Sequence, residues 1–258
     1  PLTQGKKIAC LSIGIPEWNA FHQSMNAYGA YDYFGILRDA KEIEFQQLKA
    51  YLEQESYDQI IISLHNTNRL KSRQYGLSTA GIKLVNELSK KTDVVLVSFG
   101  IPYNLQYFEK IETILVAYQD VDLNMEKAAQ ALHGAIPLEG KLPVLAGEKF
   151  PYQAGVSLGS DSSLIRYALP EAIGLKSIDF QRVDSAIDFA LNEQVFPGAQ
   201  VMVVKNGSVI YQRNAGYFDY SKNQPVQSNT LYDLASVTKV AATTLAVMHL
   251  VDHGKLDI

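Results

Sequence analysis

QIIISLHNTNR (residues 59–69) passes from a mostly apolar run, Gln59 to Leu64, into a wholly polar loop. Short apolar runs of this kind read as strands buried on both faces. Three more follow the same pattern: IACLSI (8–13), VVLVSF (94–99) and ILVAY (114–118). Between them the period changes to that of a helix. Phe45, Leu48 and Leu52 recur on one face, as do Ile82, Val85 and Leu88, and then Met125, Ala128, Ala129 and Leu132. Gly134 stands where the last of these helices should be capped. Continuous strands alternating with amphipathic helices predict a mostly parallel sheet covered on both sides. Residues 1–150 are therefore expected to form an α/β domain with a doubly wound, flavodoxin-like sheet.

Sheets of this class bind ligands beyond the carboxyl ends of their strands. The loop after 59–64 offers His65, Asn66, Asn68 and Arg69 as candidate substrate-binding residues, and GIPYN (100–104) follows the next strand. Either these side chains reach a sugar hydroxyl or they are the ordinary polarity of a surface loop. The aromatic run YGAYDYF (28–34) is open in the same way, between a sugar-stacking platform and internal packing. No G-x-G-x-x-G or phosphate loop follows any strand, so no nucleotide cofactor is expected.

Composition excludes several classes. Of 258 residues, 47% are hydrophobic and 19% charged, enough to build a core, and the net charge of −4 provides no basic footprint for nucleic acid. The lone cysteine, Cys10, lies in a strand and allows neither an intrachain disulfide nor a cysteine-rich metal site. No apolar run reaches the length of a membrane span, and no signal-peptide pattern opens the chain. Neither a metal nor a cofactor is expected.

The periodicity lapses from Glu148 to Ser177, where Pro151, Gly155, Gly159, Pro170, Gly174 and the serines of 160–163 predict a linker, placed at 151–177. It returns in Phe180, Val183, Ile187 and Leu191, which predict a helix ending before FPG. Two β-rich runs then flank Asn206-Gly207, the preferred type I′ hairpin turn. Beyond a polar stretch, a long helix is expected to open at Ser236. Ser236 and Lys239 form a Ser-x-x-Lys. With eighteen serines and seventeen lysines in the chain, about one such spacing arises by chance. Its place carries more weight. A serine at a helix start sits where the macrodipole favours a developing anion. A lysine one turn along shares its face and can take its proton. The other reading is an N-cap serine beside a solvated lysine.

FPGAQVMVVKNGSVIYQRNAGYFDY and NTLYDLASVTKVAATTLAVMHLVDHGKLDI closely resemble the amino-terminal part of serine β-lactamase-like hydrolases, which include class C β-lactamases, D-Ala-D-Ala carboxypeptidases and related esterases. The resemblance covers 178–258. It implies that Ser236 is an acylated nucleophile and Lys239 its proton acceptor. The first half has its own likeness. The F-G-x-P-Y at 99–103, the V-A-Y at 116–118 and HGAIPLEGKLPV (133–144) resemble the second, α/β domain of family 3 glycoside hydrolases, in the β-N-acetylhexosaminidase branch. That resemblance covers 5–147. It places the glycosidase nucleophile and acid/base on a preceding TIM barrel, so no residue of 1–150 inherits a catalytic role.

The resemblances together imply a bacterial, cell-wall-directed hydrolase acting on a glycan or peptidoglycan-derived substrate in the periplasm or cell envelope. A TIM barrel of the same parent chain would be its partner. Only nineteen residues follow Lys239, and the Tyr-x-Asn and Lys/His-x-Gly elements of the resembled site come later in that family. The expectation is therefore a complete α/β domain followed by a truncated α+β, β-lactamase-like segment. It should be inactive by itself and able to self-associate through unpaired strands. The rival is a non-catalytic α/β binding or scaffold domain beside a degenerate hydrolase remnant.

Overall fold

The computed structural model describes residues 5–161 and 164–257. Ser162 and Ser163 of the serine cluster, the first four residues and Ile258 lie outside the described residues. Contacts divide the chain into two units, Pro1–Tyr167 and Ala168–Ile258.

In the first unit β1 (Ile8–Ile13), β2 (Asp32–Ile36), β3 (Gln59–Leu64), β4 (Asp93–Ser98) and β5 (Thr113–Val116) form one sheet in the order β2-β1-β3-β4-β5. Every pairing is parallel. Helices α1 (Ala20–Asn26), α2 (Glu42–Gln54), α3 (Thr79–Leu88) and α4 (Asp122–Leu132) alternate with the strands. The fold is thus the expected doubly wound α/β sheet.

Successive strand residues point to opposite faces, which sorts the core into two layers. Leu11, Ile13, Ile60, Ile62 and Leu64 pack with Phe45 and Leu52 of α2 and with Leu84, Val85 and Leu88 of α3. Cys10, Ile61, Val95 and Val97 pack with Phe21 and Met25 of α1 and with Met125, Ala128 and Ala129 of α4. Cys10 is fully buried and desolvation raises its thiol pKa far above the usual range, so it is a core residue.

Three local differences from the expected elements have visible causes. The run 28–34 contributes to an element the sequence pattern does not show: Asp32 to Phe34 belong to the edge strand β2. Its tyrosines are packing residues. Tyr28 stacks on His133 at 4.5 Å, Tyr31 donates to His133 Nε2, and Tyr33 donates to the His22 carbonyl at 3.3 Å. β5 stops at Val116, and Tyr118, expected inside it, has φ +63°, outside the range of any strand. α1 is a short helix opened by Asn19, whose Oδ1 accepts from the backbone N–H of Phe21 and His22.

The expected linker 151–177 is not one loose connector. Gln153 N–H donates to Leu142 O, and Leu138 and Leu158 exchange both backbone bonds. Tyr28 donates to Ile165 O, and Lys127 Nζ to Tyr167 O. The stretch therefore fastens to the first unit as far as the two-residue strand β6 (Arg166–Tyr167).

In the second unit α5 (Gln181–Asn192) precedes the antiparallel hairpin of β7 (Gly198–Lys205) and β8 (Ser208–Gly216). Asn206 and Gly207 have φ of +52° and +71°, as a type I′ turn requires. Tyr211 and Arg213 of β8 both donate to Asp184 of α5, at 2.7 and 2.8 Å, and Phe180 stacks on Tyr211. The single helix expected from Ser236 is instead three pieces. A 3₁₀ turn spans Ala235–Val237, a π-helical turn Lys239–Thr244, and α6 is Leu245–Asp252. Thr244 Oγ1 donates to Lys239 O, five residues back, at 2.9 Å, and the widened turn goes with that bond.

Candidate functional sites

The carboxyl edge of the parallel sheet holds a buried chain of polar side chains. Asn19 N–H donates to His22 Nδ1 at 3.3 Å, which places the proton of that ring on Nε2. Nε2–H then donates to Ser12 Oγ at 2.9 Å, and Ser12 lies 2.9 Å from Ser63 Oγ. Ser63 donates to His65 Nε2 at 2.9 Å, because His65 Nδ1–H is committed to Asp120 Oδ1 at 2.7 Å. One arrangement of protons satisfies every link from His22 to Asp120. Ser63, His65 and Asp120 thus repeat the contacts of a nucleophile, base and orienting acid. Ser63, however, is completely buried in β3. No substrate reaches it, so the chain is structural.

This settles where the residues singled out in 65–69 lie. His65 is buried, both ring nitrogens are engaged, and its ring stacks on Phe99 at 4.8 Å. Asn66 N–H donates to Asp120 Oδ2 at 2.7 Å and Asn66 Nδ2 to Gly14 O at 2.8 Å. Asn68 Oδ1 accepts from Leu70 N–H at 2.9 Å. Arg69 is exposed, and its side chain has no partner among the described residues. Asn104 of the GIPYN loop is buried against Ser98. Asp120 was not legible as a partner of this group, because its role depends on a contact across 55 positions. The signal available was a serine at the fifth place of the runs 8–13 and 59–64, directly paired in the sheet. Asp120→Ala should destabilise the first unit by about 2 kcal/mol in denaturant melts. It strips the acceptor from a buried imidazole N–H and from a backbone N–H.

The second site is Ser236 and Lys239. Asp233 Oδ1 accepts from Ala235 N–H at 2.9 Å, and Ala235 adopts φ +43°, a conformation uncommon for a residue with a Cβ. The turn this produces brings Lys239 Nζ to 2.9 Å from Ser236 Oγ, to which it donates. Leu234, not Ser236, is the cap residue of the 3₁₀ turn, and the Ser236 hydroxyl makes no cap bond. The geometry is therefore that of a side-chain pair, and both residues are exposed. Among the described residues no cluster of His, Cys, Asp and Glu can hold a metal ion, and no helix is long and apolar enough to cross a membrane.

Residues 183–258 match the Beta-lactamase family model. Protein flp of Staphylococcus aureus is 37% identical over 78 residues, which are 30% of this chain and 16% of that protein. Esterase EstB of Burkholderia gladioli is 40% identical over 77 residues, 30% of this chain and 19% of that protein. The chain thus spans less than a fifth of the length of these relatives. A glycoside hydrolase family 3 β-N-acetylglucosaminidase from Paenibacillus superposes with a TM-score of 0.47 at 17% identity, over 57% of this chain and 28% of that one. The chain is accordingly hydrolase-related, a doubly wound α/β unit joined to a β-lactamase-like segment that contains Ser236 and Lys239.

Proposed function

We propose that residues 178–258 supply the Ser-x-x-Lys part of a serine hydrolase, with Ser236 the acylated nucleophile and Lys239 its proton acceptor. We further propose that the first unit is the accessory α/β domain of a β-N-acetylhexosaminidase, and that the whole protein acts on cell-wall glycans or peptides in the periplasm or cell envelope. A TIM barrel of the same parent chain would carry the glycosidase residues. The observation that supports the serine assignment is the 2.9 Å contact between Lys239 Nζ and Ser236 Oγ. Support for the glycan part is the F-G-x-P-Y and HGAIPLEGKLPV likeness. In the structure Gly100 of the former faces Thr67 so closely that a Cβ would meet Thr67 Oγ1 at 2.2 Å.

The chemistry also bears on reactivity. The lysine donates its proton toward the serine oxygen in this geometry, whereas a general base must accept one. Both residues are exposed, so water competes for each polar atom of the pair. Among the described residues the pair is open to solvent, so water competes with the backbone N–H groups for a developing oxyanion. We therefore expect the 258-residue chain to remain unlabelled by fluorophosphonates or penicillins over hours, and to turn over no aryl N-acetylglucosaminide. Intact-mass spectrometry checks the first and chromogenic assay the second. An adduct on Ser236 would show that the pair is competent as it stands; turnover of the glycoside would place catalytic groups within this chain. An α/β binding domain beside a degenerate hydrolase remnant also predicts both silences, and exchange of residues 178–258 into a complete related hydrolase separates the two.

A further inference from the structure

The crevice at the carboxyl ends of β1, β2 and β3 has chemistry that the serine site does not use. In the order β2-β1-β3-β4-β5 the winding reverses between β1 and β3, and a ligand crevice opens at such a reversal. Here it measures about 380 Å³ and is walled by Gly14, Leu37, Arg38, Asp39, Asn66 and Thr67. A second hollow of about 260 Å³ adjoins it, sharing Arg38 and Asp39 and adding Arg73.

Arg38 is half-buried and spends one N–H on Asn66 O, at 3.1 Å. A guanidinium has five donors, so four remain. No carboxylate among the described residues pairs with Arg38 or Arg73, although both stand in these walls. An arginine held at a crevice without its counter-ion presents the planar fork that fits carboxylate and phosphate oxygens. Asp39, exposed between the two hollows, repels a bare anion and accepts from hydroxyls. The pair therefore suits a ligand carrying both an anionic group and hydroxyls.

Left-handed backbone is concentrated beneath the crevice. Gly14, Asn66, Gln74, Tyr75 and Gly76 have φ of +109°, +53°, +50°, +57° and +86°. A Cβ on Gly14 would meet His65 O at 2.5 Å, and one on Gly76 would meet Asn68 N at 2.8 Å. Left-handed residues gathered around one crevice are a mark of functional sites.

We propose that this crevice binds an anionic sugar, with its carboxylate or phosphate on Arg38 and Arg73 and its hydroxyls on Asp39. The sugar part rests on the glycan reading above; the anion part rests on the arginines alone.

The test is calorimetric titration of the full chain at fixed ionic strength with glucuronate, glucose 6-phosphate, acetate, inorganic phosphate and glucose. Expected are saturable binding of at least one charged sugar, none of glucose, and a loss of about tenfold in Arg38→Gln. Whether glucuronate or glucose 6-phosphate binds tells a carboxylate from a phosphate ligand. Amide shifts in NMR should gather at Gly14, Arg38, Asn66 and Gly76. Arg38→Lys, which keeps the charge and loses the fork, should bind at an intermediate level and show by its melting curve that the fold survives. Equal affinity for acetate or phosphate and the charged sugars would overturn the sugar part and count against the glycan reading. No saturable anion binding, or binding indifferent to Arg38→Gln, would overturn the site itself.

Discussion

Acidification from pH 7 to pH 4 is expected to remove about 3 kcal/mol of folding stability from the first unit through His22 alone. His22 is 2% exposed, and burial, with the neighbouring His65 as the smaller cause, lowers its pKa to about 4. In the unfolded chain it returns to ~6.5. Between those values the unfolded chain holds a proton that the folded chain excludes, so stability is complete above about pH 6.5 and falls as pH drops toward 4. His133, also lowered by burial, acts in the same sense, while Glu126, raised by burial, acts in the opposite one. The decisive comparison is therefore between the chain and His22→Asn. The variant should be less stable at pH 7, because Ser12 loses its donor, and its stability should vary much less with pH. Urea melts at pH 7, 5.5 and 4 measure this. A variant whose pH slope equals that of the original chain would show that His22 is not held neutral by the fold.

The strands buried on both faces were legible because runs such as IACLSI and QIIISL are short, isoleucine-rich and apolar on both faces, and β1 and β3 have the bounds read from those runs. The edge strand β2 was not. It pairs with β1 alone, so only Ile36 of its five residues is buried, and its aromatic residues resemble a loop cluster. α1 is only seven residues long, too short to show a period. The hairpin was legible in two residues, Asn206 and Gly207, since the turn type dictates their chemistry. The three-part helix at 235–252 was hidden because Ala235 gives no sign of φ +43° and a threonine gives none of a π turn. The pairing of Ser236 with Lys239 could be read from their spacing, since residues three apart share a face through one turn of either kind. The polar chain from His22 to Asp120 could not, because each of its links but one joins segments ten or more positions apart.

Ser236 and Lys239 are proposed as a nucleophile and its base in a β-lactamase-like hydrolase. Their present exposure makes the isolated pair a poor reporter, so the claim is best tested where a complete site surrounds them. The 77 matching residues of Esterase EstB can be exchanged for their counterparts here, which are 40% identical. The exchange keeps the remaining four-fifths of that protein and supplies the serine and lysine from this one. Removing a nucleophile or its base from such a unit typically costs at least about 10³-fold in turnover. The measurement is hydrolysis of a nitrophenyl ester by the exchanged protein, with a fluorophosphonate adduct located by mass spectrometry. Expected are turnover, an adduct on Ser236, and loss of both by at least about 10³-fold in Ser236→Ala and Lys239→Ala. A folded, active exchange whose turnover survives Ser236→Ala, or whose adduct lies on another residue, would contradict it.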